Sequence, residues 1–272
     1  MPTSALVLAL CAAFVHALWN VLLARARDIE AATAVALITA EVVFAPVVWF
    51  TWDAQRSVWP FLAVTGVFQV VYFALLGTAY RTVPLSVVYP IARGGAPVLV
   101  LLIGAVALGR MTTWTQVAAV MLVVTGILLV RGVREADPRG IAFGVAIAAM
   151  ISGYTLVDKS GIQHAGPITY QELSMLGPTV LYAAAVLRVK GVAKVRAAIG
   201  PASMLAGVCT FTAYTLVLAA LQRASAASVA AVRETSVVIA AVLAGTVLRE
   251  NVGPLRLTGA VLVVAGVALL AL

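Results

Sequence analysis

The chain has 272 residues, 63% of them hydrophobic and only 10% charged, with a formal net charge of +8. A soluble domain carries about 25% charged residues to cover a surface facing water, so a mean hydropathy of +1.10 excludes a soluble globule and leaves lipid as the main solvent. The basic balance does not point to nucleic acid, because 16 of the 18 Lys and Arg are scattered over loops and helix ends.

A helix needs about 20 mainly apolar residues to cross a hydrocarbon core of about 30 Å. In chain order such stretches fall at 4–24, 31–52, 58–80, 84–109 and 114–131, then at 139–158, 167–188, 198–222, 225–248 and 254–271. The breaks carry loop chemistry: Arg25-Ala26-Arg27-Asp28, Arg134-Glu135-Ala136-Asp137-Pro138 and Lys190-Gly191. Long continuous apolar runs exclude a β-barrel, whose strands alternate over about 10 positions. The predicted fold is an all-α integral membrane protein of ten transmembrane helices. The first stretch lacks a basic n-region and a clear cleavage site, so it reads as a spanning helix and not as a signal peptide. Cys11 and Cys209 lie in apolar segments without metal-ligand spacing and read as small packing residues.

The sequence repeats itself. Leu122-Val123-Val124-Thr125-Gly126 recurs as Leu262-Val263-Val264-Ala265-Gly266, and the same offset of 140 carries Arg93 onto Arg233 and Gly109-Arg110 onto Arg249-Glu250. Glu41 corresponds to Glu172 and Trp19 to Tyr154 at the slightly shorter offsets that loop indels produce. The reading is two five-helix halves, 1–133 and 138–272. An odd number of crossings turns the second copy upside down, which places a substrate site near the midplane between the halves.

An ionisable group in the bilayer core costs several kcal/mol and persists where it faces the protein interior or water. Arg93 lies in Tyr89-Pro90-Ile91-Ala92-Arg93-Gly94-Gly95-Ala96-Pro97, where the two prolines predict a kinked or unwound helix. Tyr89 is four residues earlier, on the same helical face. Arg233 and Glu234 are adjacent in a segment without proline. About 100° apart on a regular helix, they should not neutralise each other along it. His16, Trp19 and Asn20 share one face of the first segment, as Tyr154 and Asp158 do of the sixth. Trp49, Trp52, Trp59 and Trp114 sit near segment ends, where interfacial anchoring explains them. Glu41 is mid-segment and needs a partner, for which Arg93 or Arg233 is the economical choice. Glu172 is close enough to a segment start to be solvated. Each of these groups has a plainer reading as an internal pair that only holds helices together.

His16-Ala17-Leu18-Trp19-Asn20, Ala79-Tyr80-Arg81, Tyr89-Pro90-Ile91-Ala92-Arg93-Gly94, Tyr154-Thr155-Leu156-Val157-Asp158 and Arg233-Glu234-Thr235-Ser236 together resemble the EamA-type branch of the drug/metabolite transporter superfamily. The resemblance spans the whole chain as two tandem five-helix units. It implies a multi-pass secondary transporter of the bacterial inner membrane that moves amino acids, metabolites or drugs without ATP, with both termini cytoplasmic. The Gly-Glu pair of many members is half present, as Arg249-Glu250 in the second half against Gly109-Arg110 in the first. The loop charges point the other way on orientation. Twelve Lys and Arg fall in odd-numbered connections and four in even-numbered ones, which by the positive-inside rule puts both termini outside.

The expected function is carriage of a small anionic or zwitterionic metabolite, such as an amino acid, organic acid or phosphonate-like solute. The expected substrate contacts are Arg93, Arg233, Tyr89, Trp19, Asn20 and Tyr154; His16, Glu41, Asp158 and Glu234 are candidates for proton coupling. Protons or a counter-solute are the expected co-substrates, and a monomer or weak homodimer the expected state. No cofactor and no metal are expected. A membrane-embedded enzyme is the rival class, but His16 and His164 lie on different elements, and no nucleophile elbow or phosphate-binding Gly-Lys-Ser/Thr loop is present. A scaffold or receptor without flux is a third reading.

Overall fold

Apolar side chains in lipid leave backbone N–H and C=O groups no partner but their own helix, and the chain folds accordingly. The computed structural model describes residues 1–24, 26–83, 85–106, 109, 111–131, 138–236, 238–239 and 254–271. Its longer helices are α1 (Thr3–Ala24), α2 (Ile29–Phe50), α3 (Trp59–Thr82), α4 (Leu85–Val106), α5 (Trp114–Arg131), α6 (Pro138–Gly161) and α7 (Pro167–Lys190). A short α8 (Val192–Ala197) follows, then α9 (Pro201–Leu221), α10 (Ala226–Arg233) and α11 (Pro254–Ala271). Among the described residues seven helices are long and apolar enough to cross a membrane, and 114–129 and 258–270 form shorter apolar helices. The chain is an all-helical, multi-pass membrane protein.

Local signals set the ends. The Asp28 carboxylate accepts the Ala31 N–H at 3.1 Å and opens α2, and the Ser225 hydroxyl accepts the Ser228 N–H at 3.2 Å and opens α10. Proline stands in the first turn of α7 and α9, where its missing N–H costs nothing. Gly191, with φ of 81°, ends α7 in a conformation that glycine adopts without penalty.

Three expectations need correction. The segment at 198–222 is preceded by a separate surface turn, α8, and begins only at Pro201. The helix does not unwind around Arg93: α4 runs through Pro97 as one helix. The Ser152 hydroxyl of α6 lies 2.7 Å from the Ala148 carbonyl of its own helix and 3.1 Å from the Ala96 carbonyl of α4. The interruption lies instead in the proline-free segment: α10 stops at Arg233 and Glu234 forms a turn. The rest of the segment expected at 225–248 lies largely outside the described residues, as do Arg25, Arg110, Arg134, Arg249 and Glu250.

The helices pack in pairs that recur with the halves exchanged. α1 lies on α9 as α3 lies on α6, and α2 on α9 as α3 on α7. α2 with α7, α4 with α10, and α5 with α11 meet their own counterparts. The α5–α11 contact shows the exchange atom by atom. A Cβ on Gly126 would meet the Gly259 carbonyl oxygen at 2.5 Å and Val263, and one on Gly266 would meet the Ala119 carbonyl oxygen at 2.7 Å and Val123. All three residues of each set are 140 apart. Gly207 of α9 lies tighter still, against the Ala36 backbone of α2, where a built Cβ would collide with the carbonyl. Gly207→Val is therefore expected to force these helices apart and remove monodisperse protein from detergent extracts, whereas Gly177→Val, with open space around it, is expected to purify normally.

Polarity is inverted relative to a soluble protein. Val42, Val67, Leu102, Val180 and Val261 are exposed, while Glu41, Arg93, Asp158, Arg233 and Glu234 are buried. Trp49, Trp59 and Trp114 are exposed near helix ends, as interfacial anchoring requires. Cys209 is buried, but Cys11, expected to pack inside, is on the outer face.

Candidate functional site

A cavity of about 460 Å³ lies among α1, α2, α3, α4, α6, α7, α9 and α10. Its lining runs from Arg93, Arg233 and Tyr154 at mid-membrane out to Leu23, Ile29, Glu30, Gly77 and Tyr182. Those outer residues belong to the helix ends that face the odd-numbered connections. Toward the opposite helix ends the lining reaches Gln171, in the second turn of α7, and Val217 of α9.

At its inner end Arg93 is the organising residue. Its guanidinium donates to Glu234 Oε1 at 3.4 Å and to His16 Nε2 at 2.7 Å, and Cζ lies 5.3 Å from the Tyr89 ring centroid. Arginine has no acceptor, so His16 Nε2 accepts, the imidazole carries its proton on Nδ1, and it takes no second proton while this bond holds. Arg233 reaches the same Glu234 Oε1 at 3.5 Å. The expectation that these neighbours could not pair along the helix is corrected here. One carboxylate, fully buried, serves both arginines. Two guanidiniums share this one carboxylate, and Arg233 also acts electrostatically on the buried Asp158 of α6. Arg233 Nε and Trp19 Nε1, both on cavity-lining residues, are buried donors without a partner.

The aromatic wall follows from the helix faces. Tyr154 meets Tyr72 and Tyr214 edge-on, with centroids 6.3 and 5.9 Å away, and the His16 and Trp19 rings lie 5.9 Å apart. Asn20 lines the cavity, yet its amide donates to the His16 carbonyl of its own helix at 2.8 Å. Of the ten residues singled out in the sequence, eight line the cavity; Asp158 and Glu234 do not.

Asp158 closes the far end. It is fully buried and accepts the Tyr170 hydroxyl at 2.9 Å and the Tyr214 hydroxyl at 2.5 Å, tying α6 to α7 and α9. On the same side Gln222 donates to the Ile162 carbonyl at 3.2 Å, and Ser57 meets His164 Nδ1 at 3.0 Å. Glu41 pairs with neither arginine. It accepts the Thr179 hydroxyl at 3.2 Å. Glu172, which its position allowed to be solvated, is buried, since α2 and α3 cover that stretch of α7. Tyr170, Thr179, Gln69 and Gln171 were not anticipated; only the helical spacing of Tyr170 and Gln171 beside Glu172 could have marked them.

At the open end Glu30 pairs with Arg81 at 3.1 Å and Lys190 at 2.7 Å, and Lys190 also reaches Asp28 at 3.1 Å. Partial burial pulls the Asp28 carboxyl upward, but the Ala31 N–H and Lys190 outweigh it and hold it below the usual carboxylate range. A depressed carboxylate contributes stability above its unfolded pKa of about 3.9, and that contribution disappears as pH falls through the lower folded value. Lys190→Gln is thus expected to cost under about 1 kcal/mol at neutral pH, these groups being partly exposed. The melting difference from wild type is expected to shrink below about pH 4 and in high salt.

The EamA-like transporter family model matches residues 3–132 and 138–272. The chain belongs to the EamA-like transporter family. A solved crystal structure covers 100% of this chain and 99% of its own, with a TM-score of 0.80 and 16% identity, a likeness of fold. No curated protein sequence matches significantly. As an EamA-like protein the chain is a membrane transporter of the drug/metabolite type, handling a small solute.

Proposed function

We propose that this EamA-like protein is a secondary carrier, driven without ATP, for a small anionic or zwitterionic metabolite such as an amino acid, an organic acid or a phosphonate-like solute. Two buried arginines that share the single Glu234 carboxylate at the inner end of the cavity are the observation that carries the reading. A buried charge needs a counter-charge, and a solute oxyanion supplies one. The arginine fork suits planar carboxylates and tetrahedral oxyanions alike. Arg233 Nε–H and Trp19 Nε1–H offer it further donors, while Tyr89, Asn20 and Tyr154 line the rest of the pocket.

The chain forms ten transmembrane helices in two inverted five-helix halves, 1–133 and 138–272, in the bacterial inner membrane, as a monomer or weak homodimer. Helix pairings that recur with the halves exchanged support this arrangement. Alternating access follows from it. The bonds around Asp158 seal one side and the Glu30 network frames the open one, and exchanging these roles between halves yields the opposite shape. The twelve-to-four charge bias supports a cytoplasmic position for the open face. Protons or a counter-solute drive the cycle, with His16, Asp158 and Glu234 changing partners as the shape changes.

A thermal-shift screen of the purified protein against amino acids, organic acids, phosphonates and organic cations tests the reading, since a ligand of the folded state raises its apparent stability by mass action. Anionic and zwitterionic solutes are expected to stabilise. Stabilisation by cations alone would refute the site.

A further inference from the structure

Glu41 and Glu172 are a second polar centre that solute binding at the arginines does not use. Glu41 lies near the middle of α2, Glu172 in the second turn of α7, and these two helices pack on each other as counterparts. Only 8% and 7% of their surfaces are exposed, and Glu172 acts electrostatically on Glu41. Thr179 satisfies Glu41 Oε1. Glu41 Oε2, Glu172 Oε2 and the carbonyl oxygen of the neighbouring Gln171, itself 5% exposed, are buried acceptors without a partner. Glu41 and Gln171 both line the cavity.

No described Lys, Arg or His pairs with either carboxylate. The other titratable and charged groups of the surrounding elements are engaged or remote. On α1, His16 accepts from Arg93. On α3, Arg81 holds Glu30, and Tyr72 meets Tyr154 edge-on. On α7, Tyr170 holds Asp158, Tyr182 faces the Glu30 carbonyl, Lys190 is at the mouth, and Arg188 is exposed. Lys194 and Arg196 of α8 are exposed. On α9, Tyr214 holds Asp158 and Cys209 is buried.

Two uncompensated carboxylates at membrane depth are costly, and three acceptor oxygens without donors add to that cost. We propose that Glu41 and Glu172 together take up one monovalent cation from the cavity, a proton or an alkali ion. One cation leaves the pair at a single negative charge, which relieves the repulsion between the two carboxylates. The site therefore belongs to the coupling ion and not to the solute.

The test needs no solute, so it stands or falls apart from the arginine reading. Wild type, Glu41→Gln and Glu172→Gln are reconstituted in nanodiscs and titrated two ways. In choline salt, infrared difference spectra are recorded against pH; at fixed alkaline pH, melting is followed against NaCl and KCl. A proton appears as a titrating carboxylic-acid C=O band, and an alkali ion as a melting rise absent in choline. Either signal is expected in wild type, lost in both variants and kept in Arg93→Ala. Neither signal in wild type, a signal unchanged in both variants, or loss in only one of them would overturn the paired site. If Glu41→Gln fails to fold, Glu41→Asp replaces it, with the expectation of a shifted response.

Discussion

Replacing Glu234 with Gln is expected to destabilise the folded protein by about 3–5 kcal/mol, the loss that follows when a buried pair is broken from one side. Glu234 is fully buried and meets both Arg93 and Arg233 through one oxygen. Without its charge, two guanidiniums are left together at membrane depth with no anion between them. Gln keeps the shape and an acceptor oxygen, so the loss reports charge and not packing. The readout is the melting temperature in nanodiscs. A solute that binds the arginines is expected to restore more of the stability in Glu234→Gln than it adds to wild type, because it replaces the missing negative charge. A fall corresponding to less than about 1 kcal/mol would mean that the two arginines are neutralised in some other way.

Arg93→Ala is expected to act mainly on binding. Truncating one partner of a buried, hydrogen-bonded charge pair costs about 2–5 kcal/mol, roughly 30- to 4000-fold in Kd for an anionic solute. Its effect on folding is smaller than that of Glu234→Gln, since Glu234 keeps Arg233, but His16 Nε2 loses its donor at 2.7 Å. Arg93→Lys keeps the charge and loses the fork, so it is expected to fall between, with a planar carboxylate suffering most. Solute Kd values from thermal shifts in the three proteins check the order. Equal Kd values in wild type and Arg93→Ala would remove Arg93 from the site.

Much of this was legible in the sequence because lipid simplifies the code. Charged residues are scarce, so each one at membrane depth stands out, and Arg93, Arg233, His16, Trp19 and Tyr154 are brought to one cavity. The offset of 140 even anticipates the mutual fit of Gly126 and Gly266. What the sequence misplaced was partner choice and backbone breaks. Proline at 97 suggested a kinked or unwound α4, yet the helix continues through it. The turn at Glu234 carries no proline or glycine to announce it. Glu172 was misread for a related reason. Distance from a helix start measures exposure only if nothing packs on that end, and α2 and α3 do. Pairing between α2 and α7 is a tertiary fact, so the carboxylate pair could not be read from spacing.

Counterflow in proteoliposomes tests the central claim most directly. Protein is reconstituted, loaded with a solute that stabilises it in the thermal screen, and exposed to the labelled solute outside without ATP. Labelled solute is expected to accumulate transiently inside wild-type vesicles, and to enter Arg93→Ala vesicles no faster than protein-free ones. Equal entry into Arg93→Ala and wild-type vesicles, or no counterflow of any stabilising solute by wild type, would contradict a carrier built around the buried arginines.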